Sequence, residues 1–195
     1  MPNTDNPIAI FREWFEAAAR AGIDKSNAMT LATVDADGRA DARVVLLSSF
    51  DERGFVFHTN YRSRKGEQLA RNPWVSLVFW WDPLGYQVRI EGRAQPTAAE
   101  ESDRYFSGRP RGSQLGAWAS EQSREIENRE SLEARARDLE RLHEGRAVPR
   151  PPHWGGYRVV PRAIEFWQNR DNRLHDRVRY VRSDDGDWHR MRLAP

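Results

Sequence analysis

The sequence predicts a mainly β fold, a strand-rich barrel carrying peripheral helices. Three observations lead there. Short apolar runs with β-like composition alternate with Asp-, Gly- and Pro-rich turns along most of the chain, which is the pattern of strands joined by hairpins. Helical spacing of apolar residues is confined to a few flanking segments. No strand–GxGxxG–helix element is present, which disfavours a doubly wound nucleotide-binding sheet, and no internal repeat is visible.

The elements follow in order. Ile8, Phe11, Trp14, Phe15 and Ala18 recur at helical spacing, and Gly22 can end that helix. Met29–Val34 and Ala42–Leu47 read as strands of a hairpin turned at Asp35–Arg39. Phe55–Thr59 follows a second turn at Asp51–Gly54, so three strands are expected side by side. Ser63–Arg71 reads as a short helix ended by Pro73. Trp74–Trp81 and Gln87–Ala94 are further strands joined through Pro83–Gly85. Thr97 with Glu100 three positions on forms a capping-box pattern, predicting a helix towards Phe106. A polar stretch rich in Arg and Ser passes through Trp118, and Ser123–Glu144 is expected to be a charged surface helix with Leu132, Ala136, Leu139 and His143 on one side. Pro149, Pro151 and Pro152 end it. Tyr157–Val160, Ile164–Gln168 and Arg177–Arg182 are β-like, and Asp184–Asp187 turns into Trp188–Leu193.

A chain of 195 residues fits one domain, with or without an appended segment, and leaves no room for a second large catalytic domain. Eight Trp and eight Phe argue for a packed core, while 31% charged residues make the surface very polar. The remaining burial is expected from large aromatics or from a partner subunit. The absence of cysteine excludes disulfides, thiolate metal sites and Cys nucleophiles, and allows a reducing compartment. Met1–Ile10 has no apolar targeting core and no long apolar run occurs, so a cytoplasmic protein without membrane partners is expected. All of the 31 basic side chains except Lys25 and Lys65 are Arg, the residue suited to bidentate phosphate or carboxylate recognition. Asp and Glu are interspersed among them, which argues against a nucleic-acid stripe.

Three basic clusters could each receive an anion: Arg43 near the start of an apolar strand, Arg62–Lys65 immediately before a helix, and Arg109–Ser113. Ser63 and the free N–H groups of a helix start would complement Arg64 and Lys65 around a phosphate; an ordinary charged helix entrance is the competing reading. The five His residues show no HxH or HExxH spacing, so no metal site is expected. In Arg173–Arg177 alternate residues share a face if the segment is extended, grouping Arg173, His175 and Arg177; a salt-bridge ladder with Asp171 and Asp176 competes with that reading. Trp118 and Trp167 read as core or interface residues, and nothing resembles a Ser/His/Asp triad.

Arg43–Leu47, Ser63–Lys65, Tyr105–Trp118, Phe166–Trp167 and Arg173–Arg177, in this order and at these separations, closely resemble the pyridoxine/pyridoxamine 5′-phosphate oxidase family, and Arg192–Pro195 resembles its usual chain end. The resemblance runs from the Ile8 helix to Pro195. It implies an FMN-binding split β-barrel at residues 1–148, with 149–195 as a C-terminal dimerisation and active-site segment of the same compact unit. It further implies a homodimer with FMN held between subunits by Arg43, Val44, Val45, Leu46, Leu47, Ser48, His58, Thr59, Arg64, Lys65, Gln87, Gln122, Ser123, Trp167 and Arg177. Tyr105, Arg109 and Ser113 would take the substrate phosphate, and Arg173 and His175 would lie at the pyridine ring as the catalytic pair. The implied reaction oxidises pyridoxamine or pyridoxine 5′-phosphate to pyridoxal 5′-phosphate, hydride passing from C4′ to FMN and dioxygen leaving as hydrogen peroxide.

One position departs from the family pattern. Ser48 stands where such proteins usually carry a phosphate-contacting Lys, so a charge-assisted contact is expected to be missing, and Ser48→Lys to restore it. Ser48 is also similar to flavin oxidases of phenazine biosynthesis, which act on a tricyclic substrate. That activity, or a carrier that binds pyridoxal phosphate or flavin without turnover, is the alternative; intact Tyr105, Arg109 and Ser113 favour a phosphorylated substrate.

Overall fold

The computed structural model describes residues 4–195, so the first three residues of the Met1–Ile10 segment lie outside the described part. Helix α1 (Pro7–Arg20) begins where Asn6 caps it, its side-chain oxygen accepting from the N–H groups of Ile8 and Ala9, with Pro7 at the first position. Its buried face, Ile8, Phe11, Trp14 and Ala18, carries the predicted periodicity into the core. Phe11 meets Phe50, Phe55 and Phe79 edge-on at 4.8–5.1 Å, so the helix closes one end of the barrel with an aromatic plug.

Strands β1 (Ala28–Val34), β2 (Ala40–Asp51) and β3 (Gly54–Asn60) are neighbours, as predicted, in the order β3-β2-β1. Asp35 builds the first hairpin turn, accepting at Oδ1 from the N–H groups of Asp37 and Arg39. Helix α2 (Arg64–Arg71) follows, then β4 (Trp74–Trp81), β5 (Tyr86–Pro96), the short helices α3 (Ala99–Ser107) and α4 (Arg111–Ala119), and α5 (Arg129–Leu142). Strand β6 (Trp154–Gln168) pairs with β5 on one side and with β3 on the other, closing six antiparallel strands into a barrel. Strands β7 (Asp176–Arg182) and β8 (Trp188–Arg192) extend the sheet beyond β6 as a hairpin. Residues from 154 onward therefore complete the barrel itself. Its interior is apolar, with Leu31, Phe57, Leu77, Val88 and Ile90 fully buried. A smaller cluster of Phe106, Leu115, Val148 and Trp154 sits under α3 and α4.

Four expectations are corrected. Thr97 does not cap α3: its Oγ1 lies 2.9 Å from Ser102 Oγ, while Ala98 occupies the cap without a side-chain bond. The polar stretch before Trp118 contains a helix, α4, held by Gln114 Nε2 donating to Phe106 O and by the buried Leu115, contacts that local composition does not announce. Helix α5 begins only at Arg129, because Asn128 caps it and Ser123 adopts a left-handed φ of 73°. Its predicted inner side is nevertheless the less exposed one. Tyr157–Val160 and Ile164–Gln168 are one strand: Pro161 falls opposite Gly92 at an irregularity in the β5–β6 ladder, where a missing N–H is tolerated.

Candidate functional site

One rim of the barrel gathers the first group of predicted residues. Arg43, Val44, Val45 and Leu46 of β2, His58 and Thr59 of β3, Lys65 of α2, Tyr105 and Arg109 of the α3–α4 region and Gln122 line a common cleft of about 270 Å³, with Trp154 at its wall. Arg43 is fixed from several directions. It pairs with Asp41 at 2.6 Å and donates to Thr33 Oγ1, Leu31 O and Gln68 Oε1. Those partners, and Trp154, were not singled out from the sequence; Thr33 lies on the strand facing Arg43 and its neighbours, and that cross-strand placement was the available signal.

Lys65 is buried, yet among the described residues no carboxylate lies within ion-pair distance of it; its Nζ lies 3.0 Å from Gln122 Oε1 and 3.4 Å from Ser63 Oγ. Desolvation, then the charge of Arg43, lowers its pKa. Ser63 is absorbed by the fold: its Oγ accepts from Gly66 N–H and donates to Asn60 O. The helix-start reading is thereby narrowed to Arg64, Lys65 and the N–H groups of the first turn. Arg64 is exposed and pairs with Asp41 at 3.1 Å. Two cations thus share one carboxylate beside a buried third, an arrangement with spare positive charge for a phosphate.

Arg109 lies on the face of Trp154 at 4.6 Å, and its Nη1 is buried with no hydrogen-bond partner. A buried guanidinium N–H without an acceptor is costly unless a ligand supplies one. Desolvation accordingly lowers its pKa. Ser113 shares an adjacent cleft with Arg109, Gln122 and Trp154. Tyr105 is exposed, its ring flat against His58 at 3.8 Å. Leu47 belongs to the core, Ser48 faces a neighbouring cleft shared with His58 and Tyr105, and Ser123 is exposed beside Gln122.

The second group lies elsewhere on the same chain. Trp167 of β6 pairs across strands with Gln87 of β5 and with Arg177 of β7. Its ring meets His175 at 4.5 Å and Trp80 at 5.8 Å. Arg177 donates through Nε and Nη2 to Glu165 Oε1, at 3.0 and 2.8 Å, and through Nη1 to Ala194 O. The expected extended face is corrected here: Asp171–Arg173 is a tight turn with left-handed φ at Asn172 and Arg173, so Arg173 projects from the turn and only His175 and Arg177 flank the start of β7. The competing ladder is partly present, since Asp176 pairs with Arg170 and Arg192. Among the described residues no hydrogen bond, ion pair or ring contact joins this group to the first.

A closed antiparallel barrel with a rim of buried, under-partnered cations next to aromatic faces defines the class of split-barrel flavoprotein oxidoreductases. The sequence of the pyridoxamine 5′-phosphate oxidase family matches residues 15–143, and that of the pyridoxine 5′-phosphate oxidase C-terminal dimerisation region matches residues 154–195. The chain belongs to the pyridoxine/pyridoxamine 5′-phosphate oxidase family. A curated oxidase of that name from Rubrobacter xylanophilus is 60% identical over 97% of this chain and 87% of its own length. Among solved structures, PhzG from Burkholderia lata 383, in complex with tetrahydrophenazine-1-carboxylic acid, superposes with a TM-score of 0.93 at 39% identity over 98% of this chain and 94% of its own. An FMN-binding protein from Nostoc punctiforme, related to pyridoxamine 5′-phosphate oxidase, shares the fold at a TM-score of 0.79 and 18% identity, over the whole of both chains.

Proposed function

We propose that a homodimer of this chain binds two FMN molecules and oxidises pyridoxamine and pyridoxine 5′-phosphates to pyridoxal 5′-phosphate. Family membership supports the reaction and the cofactor. The observation that carries the substrate's chemistry is the unpartnered Arg109 Nη1, buried beside Tyr105 and Ser113, which calls for an anionic acceptor. A phosphate or a carboxylate would supply one, and membership of a family that oxidises phosphorylated substrates favours the phosphate.

The rim fits FMN. Arg64, Lys65 and the first turn of α2 would hold its phosphate, which would relieve the buried ammonium of Lys65, and Arg43, Thr59 and Gln122 would supply further polar contacts to it. Gln87, Trp167 and Arg177 of the other subunit complete the cradle, which accounts for two groups separated within one chain. Bound FMN supplies a hydride acceptor for C4′ of the substrate and passes the electrons to dioxygen, yielding hydrogen peroxide. The side chains orient the donor carbon: Arg109, Tyr105 and Ser113 anchor the phosphate, and Arg173 and His175 from the other subunit bracket the pyridine ring. An amine substrate then loses ammonia to water; an alcohol substrate gives the aldehyde directly.

The test is aerobic turnover of FMN-loaded protein. Equimolar hydrogen peroxide and pyridoxal 5′-phosphate are expected from either substrate, and neither from unphosphorylated pyridoxine at equal concentration. Tight binding of both phosphates without peroxide would identify a carrier instead.

A further inference from the structure

Strands β2 and β3 pair regularly from Asp51↔Gly54 to Ser49↔Val56, then resume at Leu47↔Phe57, leaving Ser48 as the extra residue of a bulge. A bulge re-aims the side chain it carries. Ser48 Oγ lies 2.9 Å from the carbonyl oxygen of Val56 and 3.0 Å from His58 Nδ1. A hydroxyl has one proton, and a carbonyl can only accept. Ser48 therefore donates to Val56, and His58 donates its Nδ1–H to Ser48. His58 Nε2 is left a bare lone pair, buried without a partner; a Cβ on Gly156 would come within 3.0 Å of it. Burial, and then the charge of Arg109, hold the imidazole down to a pKa of about 4, so it is neutral at physiological pH.

That neutral ring lies parallel to Tyr105, at 3.8 Å and 6°, and to Trp154, at 5.3 Å and 17°. Trp154 in turn carries Arg109 on its face. The Ser48–His58 hydrogen bond thus anchors a stack whose other members are Tyr105, Trp154 and Arg109.

We infer that Ser48 and His58 are positioning residues for the substrate phosphate. Ser48 fixes the tautomer and plane of His58, and His58 fixes Tyr105 directly and Arg109 through Trp154, without placing a further charge at the subsite. This rests on the reading of Tyr105 and Arg109 as phosphate anchors. It also changes the meaning of Ser48: a lysine there removes the acceptor of His58 Nδ1–H, so Ser48→Lys disorders the stack that an added charge was expected to assist.

The experiment compares equilibrium binding of pyridoxal 5′-phosphate and of pyridoxal to FMN-loaded dimers, with flavin content measured separately. Ser48→Ala is expected to reduce the preference for the phosphorylated ligand by about fivefold or more, since it leaves a buried donor unpaired. His58→Phe keeps a flat ring but has no bond to Ser48, so adding Ser48→Ala to it changes nothing further. In ¹⁵N-histidine spectra, His58 shows a protonated Nδ1 and a bare Nε2, and this signature is lost in Ser48→Ala. An unchanged preference in Ser48→Ala, or a Ser48→Ala effect undiminished in the His58→Phe background, would overturn the inference. Loss of flavin with the preference intact overturns it as well, assigning the pair to the cofactor. Arg109→Ala separates the two levels: if it too leaves the preference intact, the reading of the anion site has failed, whereas its loss with Ser48→Ala silent rejects the relay alone.

Discussion

The cations on the rim are expected to serve two different anions, the FMN phosphate and the substrate phosphate, and single substitutions separate them. Arg109→Ala removes a charge-assisted contact worth about 1.5–3 kcal/mol, so KM for pyridoxamine 5′-phosphate should rise roughly ten- to a hundredfold while FMN affinity holds. Steady-state kinetics and flavin titration check this together; an equal loss of FMN would contradict it. Lys65 offers a pH test. Its pKa is lowered by burial and by Arg43, so in the free protein it loses its proton at a lower pH than an exposed lysine. FMN affinity should therefore begin to fall at a lower pH than an exposed lysine would give, and Lys65→Met should bind FMN weakly with that pH dependence gone. A parent affinity flat up to the ordinary lysine range would remove Lys65 from the phosphate site. The residue scale is also where the sequence was least explicit. Arg43, Arg64 and Lys65 stand out in the sequence as basic clusters that could receive an anion, but an ordinary charged helix entrance competes with that reading, because only three dimensions reveal that Lys65 is buried with no carboxylate of the described residues in ion-pair distance. The role of Ser48 was hidden for the same reason: a bulge depends on the pairing of two strands, and no local pattern around Ser48 encodes it.

Strands and helices were far more legible than contacts. The spacing of Ile8, Phe11, Trp14 and Ala18 and the turn chemistry at Asp35–Arg39 state their structures locally, and both are found as read. Failures occurred where tertiary partners override local signals. Thr97 has the cap pattern yet is drawn to Ser102, and the two β-like pieces Tyr157–Val160 and Ile164–Gln168 are one strand, with Pro161 at a tolerated irregularity. That irregularity depends on Gly92, where a Cβ would lie 2.2 Å from Val160 O. Gly92→Ala must push two paired strands apart, and a loss of about 2 kcal/mol or more is expected in urea unfolding of the flavin-free protein. Gly112, whose Cβ would meet nothing within 4 Å in α4, provides the contrast: Gly112→Ala should be neutral or stabilising. Equal effects at the two positions would show that the β5–β6 ladder is not as closely packed as described.

For the molecule as a whole, two residue groups that do not meet within one chain require a partner to form one site. Apolar side chains left exposed on β2, Val44 and Leu46, lie at the rim that the partner would cover. Mixing Arg109→Ala and Arg177→Ala proteins under subunit exchange, assayed at a substrate concentration too low for either alone to turn over, then tests the sharing. If one site draws Arg109 and Arg177 from different subunits, each mixed dimer holds one intact site, and random exchange restores about a quarter of all sites. If both residues act within one chain, mixing restores nothing. Composition leaves this open, since the burial that a short, highly charged chain lacks is expected from large aromatics or from a partner subunit.

At this rim, hydride is expected to pass from a phosphorylated vitamin B6 donor to FMN. The most direct measurement is anaerobic rapid mixing of FMN-loaded dimer with pyridoxamine 5′-phosphate, following the flavin spectrum. Stoichiometric bleaching at a rate that saturates with substrate, with one pyridoxal 5′-phosphate formed per flavin and colour restored by oxygen, is the predicted result. A flavin that stays oxidised while the phosphate is demonstrably bound would contradict the account.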